Sequence, residues 1–162
     1  MQNDNLKSYL HLHVIVFIWG FTAILGKLIS LEALDLVWYR MLFASVIMTF
    51  VVLFNKEKIK VPFNVLVGFI VSGIIIAAHW LTFYQAIKVS NVSITLACLS
   101  TGAFFASILE PIFYKRKVIW YELLFGLIVV LGLGIIFNVE TKYATGIYLA
   151  ITSAFLSALF SV

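Results

Sequence analysis

FNVLVGFIVSGIIIAAHWLTFYQA, residues Phe63–Ala86, runs for 24 residues without an Asp, Glu, Lys or Arg. Wound as an α-helix it is about 36 Å long at 1.5 Å per residue, which exceeds the roughly 30 Å hydrocarbon core of a bilayer. A helix on the surface of a water-soluble domain carries a polar stripe. This run has none wide enough to face water, so its expected surroundings are lipid and other helices.

Five further runs repeat the pattern on either side: Leu10–Ile29, Leu36–Phe54, Val92–Tyr114, Ile119–Asn138 and Thr145–Val162. Only short polar links separate them. The chain of 162 residues is 64% hydrophobic and 11% charged, against about 25% charged residues in an average soluble domain. The expected fold is an all-α, polytopic transmembrane helix bundle, and no link is long enough to hold a soluble catalytic or binding module. Leu10–Ile29 is longer than the apolar core of a cleavable signal peptide and lacks a small-x-small site at its end. It is expected to be a retained first helix.

The net charge of +4 does not point to nucleic acid, because the basic residues sit in the short links, where they set membrane orientation. Lys7, Lys56, Lys58, Lys60, Lys115, Arg116 and Lys117 fall on one side of the expected bundle. Lys27, Arg40, Lys88 and Lys142 fall on the other. Seven against four places residues 1–9, the N-terminus, in the cytoplasm. Pro62 precedes the third helix, where its missing N–H costs nothing. Small residues recur four apart, as in Gly68 with Ser72, Gly73 with Ala77, Gly102 with Ala106, and Ala150 with Ala154 and Ala158. Such spacing lets helix backbones approach closely in lipid.

Ionisable residues within membrane spans usually face the bundle interior. Arg40 follows Trp38 and Tyr39 near the outer end of the second helix, His79 lies about 10 Å inside the outer end of the third, and Lys27 is near the outer end of the first. Together they suggest an outer cavity that draws an anionic or carboxylate-bearing substrate. The alternative is that Lys27 and Arg40 snorkel to the interface while His79 is neutral and satisfied by a neighbour. Trp80, Tyr84, Asn91 and Thr95 add polar or aromatic groups on the third and fourth helices, and Trp19-Gly20 sets an aromatic ring beside a gap in the first. Asn91, Thr95, Cys98 and Gly102 are spaced to share one helix face. Glu110, followed by Pro111, could relay a proton as a coupling carboxylate; the alternative is an interfacial ion pair with Lys115–Lys117. His11 and His13 fall on different helix faces, the single Cys98 provides no partner, and neither a metal site nor a cofactor is expected. Enzyme motifs such as Gly-x-Ser-x-Gly, His-Glu-x-x-His or a phosphate-binding glycine loop are missing from the sequence.

Several segments taken in order resemble a known family. They are Trp19-Gly20; Tyr39-Arg40-Met41-Leu42-Phe43-Ala44; Thr82-Phe83-Tyr84-Gln85-Ala86-Ile87; Ser90-Asn91-Val92-Ser93; Glu122-Leu123-Leu124-Phe125-Gly126; and Gly132-Leu133-Gly134-Ile135-Ile136. The chain resembles the EamA-type branch of the drug/metabolite transporter superfamily. The resemblance implies ten helices in two inverted five-helix repeats, both termini cytoplasmic, and passage of small metabolites. Residues 10–138 would then be the first repeat and residues 145–162 the opening helix of a second, inverted one. The sixth run stops at Phe160-Ser161-Val162 without a basic or aromatic anchor, which leads to the expectation of a fragment. Two features depart from the family pattern: Ser100-Thr101-Gly102 replaces a common Ser-Pro step, and Lys115-Arg116-Lys117 replaces a common Gly-Glu turn.

The function expected is a secondary transporter in the inner or plasma membrane, exporting amino acids or related small metabolites. Its expected partners are the small-molecule substrate, the lipid bilayer, and either the second repeat of the same protein or a homodimer partner. The alternatives are a non-transporting membrane subunit or scaffold, and a small dimeric multidrug exporter. The last fits less well, because the first helix carries no membrane-embedded carboxylate.

Overall fold

Long apolar runs must bond their backbone internally in lipid, and each of the six forms helix. A computed structural model describes residues 2–56, 60–139 and 141–162, all of whose regular elements are helical. They are α1 (Gln2–Leu28), α2 (Ala33–Phe54), α3 (Phe63–Val89), α4 (Val92–Leu99), α5 (Gly102–Tyr114), α6 (Trp120–Val139) and α7 (Ala144–Ser161), with a 3-10 turn at Thr141–Tyr143. Five stretches are long and apolar enough to cross a bilayer: Leu6–Leu28, Ala33–Phe54, Phe63–Val89, Val92–Tyr114 and Ala144–Ser161. The apolar part of α6, Trp120–Ile135, is shorter. The chain is a multi-pass helical membrane protein.

Two elements differ from the sequence reading. Helix α1 begins at Gln2, well before the apolar run at Leu10, because no Gly or Pro lies between them to stop the winding. The fourth run is interrupted at Ser100 and Thr101. There the Thr101 N–H turns to the Cys98 carbonyl, three residues back (3.1 Å). The Thr101 hydroxyl donates to that same carbonyl (2.7 Å), and the Ser100 hydroxyl donates to the Ala97 carbonyl (2.6 Å). Hydroxyls that take carbonyls of the preceding turn compete with the helical ladder, and Gly102 next in line weakens it further. No proline is needed for the break.

Cross-helix contacts fix the alternation. The C-terminal ends of α1 and α3 meet, because Lys27 of α1 donates to the Ile87 and Ser90 carbonyls (3.0 and 3.3 Å). Lys88 of α3 donates in return to the Ile29 carbonyl, just past α1. Each lysine thus satisfies carbonyls that the neighbouring helix end leaves unpaired, where the macrodipole favours a cation. The N-terminal parts of α2 and α7 lie at the same end: Arg40 reaches Tyr84, and Gly146 faces Ser90. The opposite end gathers the close of α5, the start of α6 and the close of α7, where Tyr114 donates to the Val162 carbonyl (2.9 Å).

Helix α7 packs between α3, α4 and α5. Its face of Gly146, Ala150, Ser153, Ala154 and Ala158 is buried. Burial of apolar groups against a neighbour gains no hydrophobic energy in lipid, so close van der Waals contact carries the association. A Cβ on Gly146 would lie 2.5 Å from the Ser90 Cβ, and one on Gly126 would lie 2.9 Å from the Phe104 Cα. These two glycines permit the α3–α7 and α5–α6 approaches. Gly68 and Gly73 face open space, so their spacing is not used among the described residues.

Candidate functional site

Thr22, Leu25, Gly26 and Ile29 follow helical spacing on α1, and Leu36 and Arg40 follow it on α2. With Tyr84 of α3 they line a cleft of about 270 Å³ near the shared end of α1, α2 and α3. Its walls are largely aliphatic. Tyr84 is buried, and its ring is seated on Gly26, where a Cβ would collide with Cε1 and fall 2.6 Å from Cδ1. Its hydroxyl accepts a hydrogen bond from the Arg40 guanidinium at 2.6 Å. That guanidinium also stands 3.7 Å above the Trp80 ring, and Trp80 stacks on Tyr84 with ring centres 5.8 Å apart. The cation is held in place by an aromatic face and a phenol. Among the described residues no carboxylate pairs with it.

The three basic groups expected in one outer layer do different things. Only Arg40 lines the cleft. Lys27 is bound to the carbonyls that close α3. His79 is buried and turns to α7, with Nδ1 at 2.9 Å from both the carbonyl and the hydroxyl oxygen of Ser153. A carbonyl only accepts, so Nδ1 carries the hydrogen. The Ser153 hydroxyl then donates back to the His79 carbonyl at 3.1 Å. The His79 ring lies edge-on to Trp80 at 4.9 Å. The α7 contact and the Arg40 perch therefore rest on consecutive residues, His79 and Trp80.

The remaining expected residues lie outside the cleft. Trp19 is 71% exposed on the outer face of α1. Asn91 is the N-cap of α4, its side-chain oxygen accepting from the Ile94 N–H at 2.9 Å, a standard use of Asn at that position. Thr95 is fully buried and donates to the Asn91 carbonyl at 2.9 Å. Glu110 sits near the far end of α5 in an ion pair with Arg116 at 2.7 Å, and Arg116 bridges to Glu122 at 2.9 Å. The hydrogen bond to Glu122 outweighs the loss of solvation that opposes it, and with the attraction of Glu122 and Glu110 it holds the Arg116 guanidinium charged more firmly than usual.

Sequence reasoning passed over Thr22, Leu25, Gly26, Ile29 and Leu36 as cleft lining, and Ser153 as the partner of His79. The pair Thr22 and Gly26, four apart and next to Lys27, is a usable signal: a small polar residue and a gap on one face. Ser153 sits inside an alanine stripe, which likewise marks the buried face of α7.

The model of the EamA-like transporter family matches residues 6–138, which is 133 of the 162 residues, from Leu6 in α1 to Asn138 in α6. Neither the comparison with curated proteins nor that with solved structures gives a match. With six apolar runs wound as helices and the family pattern covering most of the chain, the protein belongs to the EamA-like transporter family, the membrane transporters of the drug/metabolite type.

Proposed function

We propose that the protein is a secondary transporter that exports amino acids or related small metabolites across the inner or plasma membrane. Its N-terminus is cytoplasmic on this reading, residues 10–138 form one repeat, and α7 opens a second, inverted one. The substrate path uses Arg40, Trp80 and Tyr84 together with the α1 face around Gly26. A second five-helix half, from the same protein or from a second copy, closes the path.

The observation that carries this reading is Arg40. A guanidinium kept among apolar helices is costly unless it meets water or an anion, and here a phenol and an indole hold it at the wall of a cleft. A purely structural arginine would be expected to meet a carboxylate. His79 supports the path from behind by tying the Trp80 segment to α7.

Full-length protein reconstituted in vesicles and assayed with labelled amino acids tests the proposal. Arg40→Ala and His79→Ala are expected to abolish flux while membrane insertion is retained. Unchanged flux in both variants removes these residues from the path. Absence of flux of amino acids and of related carboxylates alike in the unaltered protein favours a non-transporting subunit instead.

A further inference from the structure

The cleft has an unbalanced charge. Of its lining residues only Arg40 is ionised, and the other polar side chains are the hydroxyls of Thr22 and Tyr84. The nearest acidic residues in sequence, Glu32 and Asp35, are exposed at the start of α2 and do not line it. Helix C-termini could offset the positive charge with their free carbonyls. Lys88 already engages the Ile29 carbonyl past α1, and Lys27 engages the Ile87 and Ser90 carbonyls at the close of α3, and among the described residues no carboxylate pairs with Arg40.

We infer that the cleft selects solutes of net charge −1, a single carboxylate on a small apolar body without a free ammonium group, such as 2-oxo acids or N-acylated amino acids, over zwitterionic amino acids. A monoanion on Arg40 brings the site to neutrality. A zwitterion leaves one positive charge and buries an ammonium whose side-chain acceptors are two hydroxyls, one of them already engaged by Arg40. Beside a guanidinium and apolar walls, a second positive charge without a partner is unfavourable. The volume of about 270 Å³ lies at the lower edge of ligand pockets and suits one short aliphatic body against Leu25, Ile29 and Leu36. The inference deepens the transporter reading and rests on it for the identity of the cleft as the substrate path.

Trp80 reports occupancy through Arg40 and Tyr84, the two lining residues it stacks against. Trp19, Trp38 and Trp120 are 71%, 65% and 72% exposed, so Trp19→Phe, Trp38→Phe and Trp120→Phe together leave a full-length protein with Trp80 as its only indole among residues 1–162. In phosphatidylcholine vesicles, 4-methyl-2-oxopentanoate is expected to change its fluorescence at concentrations at least about tenfold lower than leucine, the factor for one lost charge-assisted contact. Arg40→Gln is expected to erase the difference, and Arg40→Lys, which keeps the charge, to preserve the order. Equal or tighter binding of leucine overturns the inference, as does failure of the oxo acid to bind or an order that survives Arg40→Gln.

Flux of the same two solutes separates the two readings. Binding of the oxo acid without flux leaves the inference standing and removes the transporter reading. Leucine flux with reversed binding order does the opposite. A lipid headgroup offers similar anionic chemistry, so the titration is repeated with phosphatidylglycerol added. Retained oxo-acid binding supports a solute site, and its abolition assigns the site to lipid and overturns the proposal.

Discussion

Gly26→Ala places a methyl group where the Tyr84 ring lies. The new Cβ would collide with Cε1 and come within 2.6 Å of Cδ1, so the ring must move and its 2.6 Å bond from Arg40 must stretch or break. Overpacking of this kind costs about 1–3 kcal/mol, and loss of a hydrogen bond to a charged group costs about 1.5–3 kcal/mol. Alanine returns about 0.5–1 kcal/mol through its higher helix propensity. The expected net loss is about 1.5–5.5 kcal/mol. Gly20 on the same helix has nothing within 4 Å of its would-be Cβ, so Gly20→Ala should gain the propensity term alone. Unfolding of the purified protein by titration with a denaturing detergent, followed by tryptophan fluorescence, measures both. In a Tyr84→Ala background the Gly26→Ala penalty should vanish. If Gly26→Ala behaves like Gly20→Ala in the unaltered background, Tyr84 is not seated on that notch and the account of the Arg40 perch fails.

Three other outcomes follow from the packing. Ser153→Ala should weaken the α3–α7 contact by about 0.6 kcal/mol, the average for a hydrogen bond between membrane helices; His79→Ala should cost more, because it also empties the space beside Trp80 and Phe83. The same detergent titration ranks the two, and equal costs would refute the ring-packing argument. Gly146→Ala should be destabilising by about 1–3 kcal/mol and should be relieved by Ser90→Gly, since the collision is with the Ser90 side chain at 2.5 and 2.7 Å. Arg116→Gln should remove the salt sensitivity of the α5–α6 turn, read as hydrogen exchange of residues 110–122 at low and high salt, because a partly exposed ion pair is screened by salt.

The helices were legible in the sequence because lipid imposes a length and an apolar composition on each span, and few residues between Leu10 and Val162 break that rule. Arg40 and His79 stood out for the same reason: charge or potential charge is conspicuous there. What composition could not resolve was direction. Lys27 and Arg40 both lie near the same end, yet one side chain folds onto the carbonyls of α3 and the other onto Trp80, and that choice depends on where α3 stops. Asn91 was expected on a polar face, although its place directly before a helical run already fits an N-cap. The break at Ser100 escaped notice because the usual breaker is proline, whereas two hydroxyls and a glycine achieve it here. The lining of the cleft escaped for a simpler reason, since aliphatic residues such as Leu25 and Leu36 look alike whether they face lipid or a cavity.

The divided fourth span has a mechanical meaning. Its first half, α4, is tied to the close of α3 through Ser90 and Thr95, and its second half, α5, is tied to α6 by Phe104 against Gly126 and by Arg116. A continuous rod of 23 residues would act as a lever, carrying any tilt at the cleft end straight to the turn at Lys115. Jointed at Ser100, the span is no single rod: its two halves are anchored to different neighbours and share only α7 as a common support.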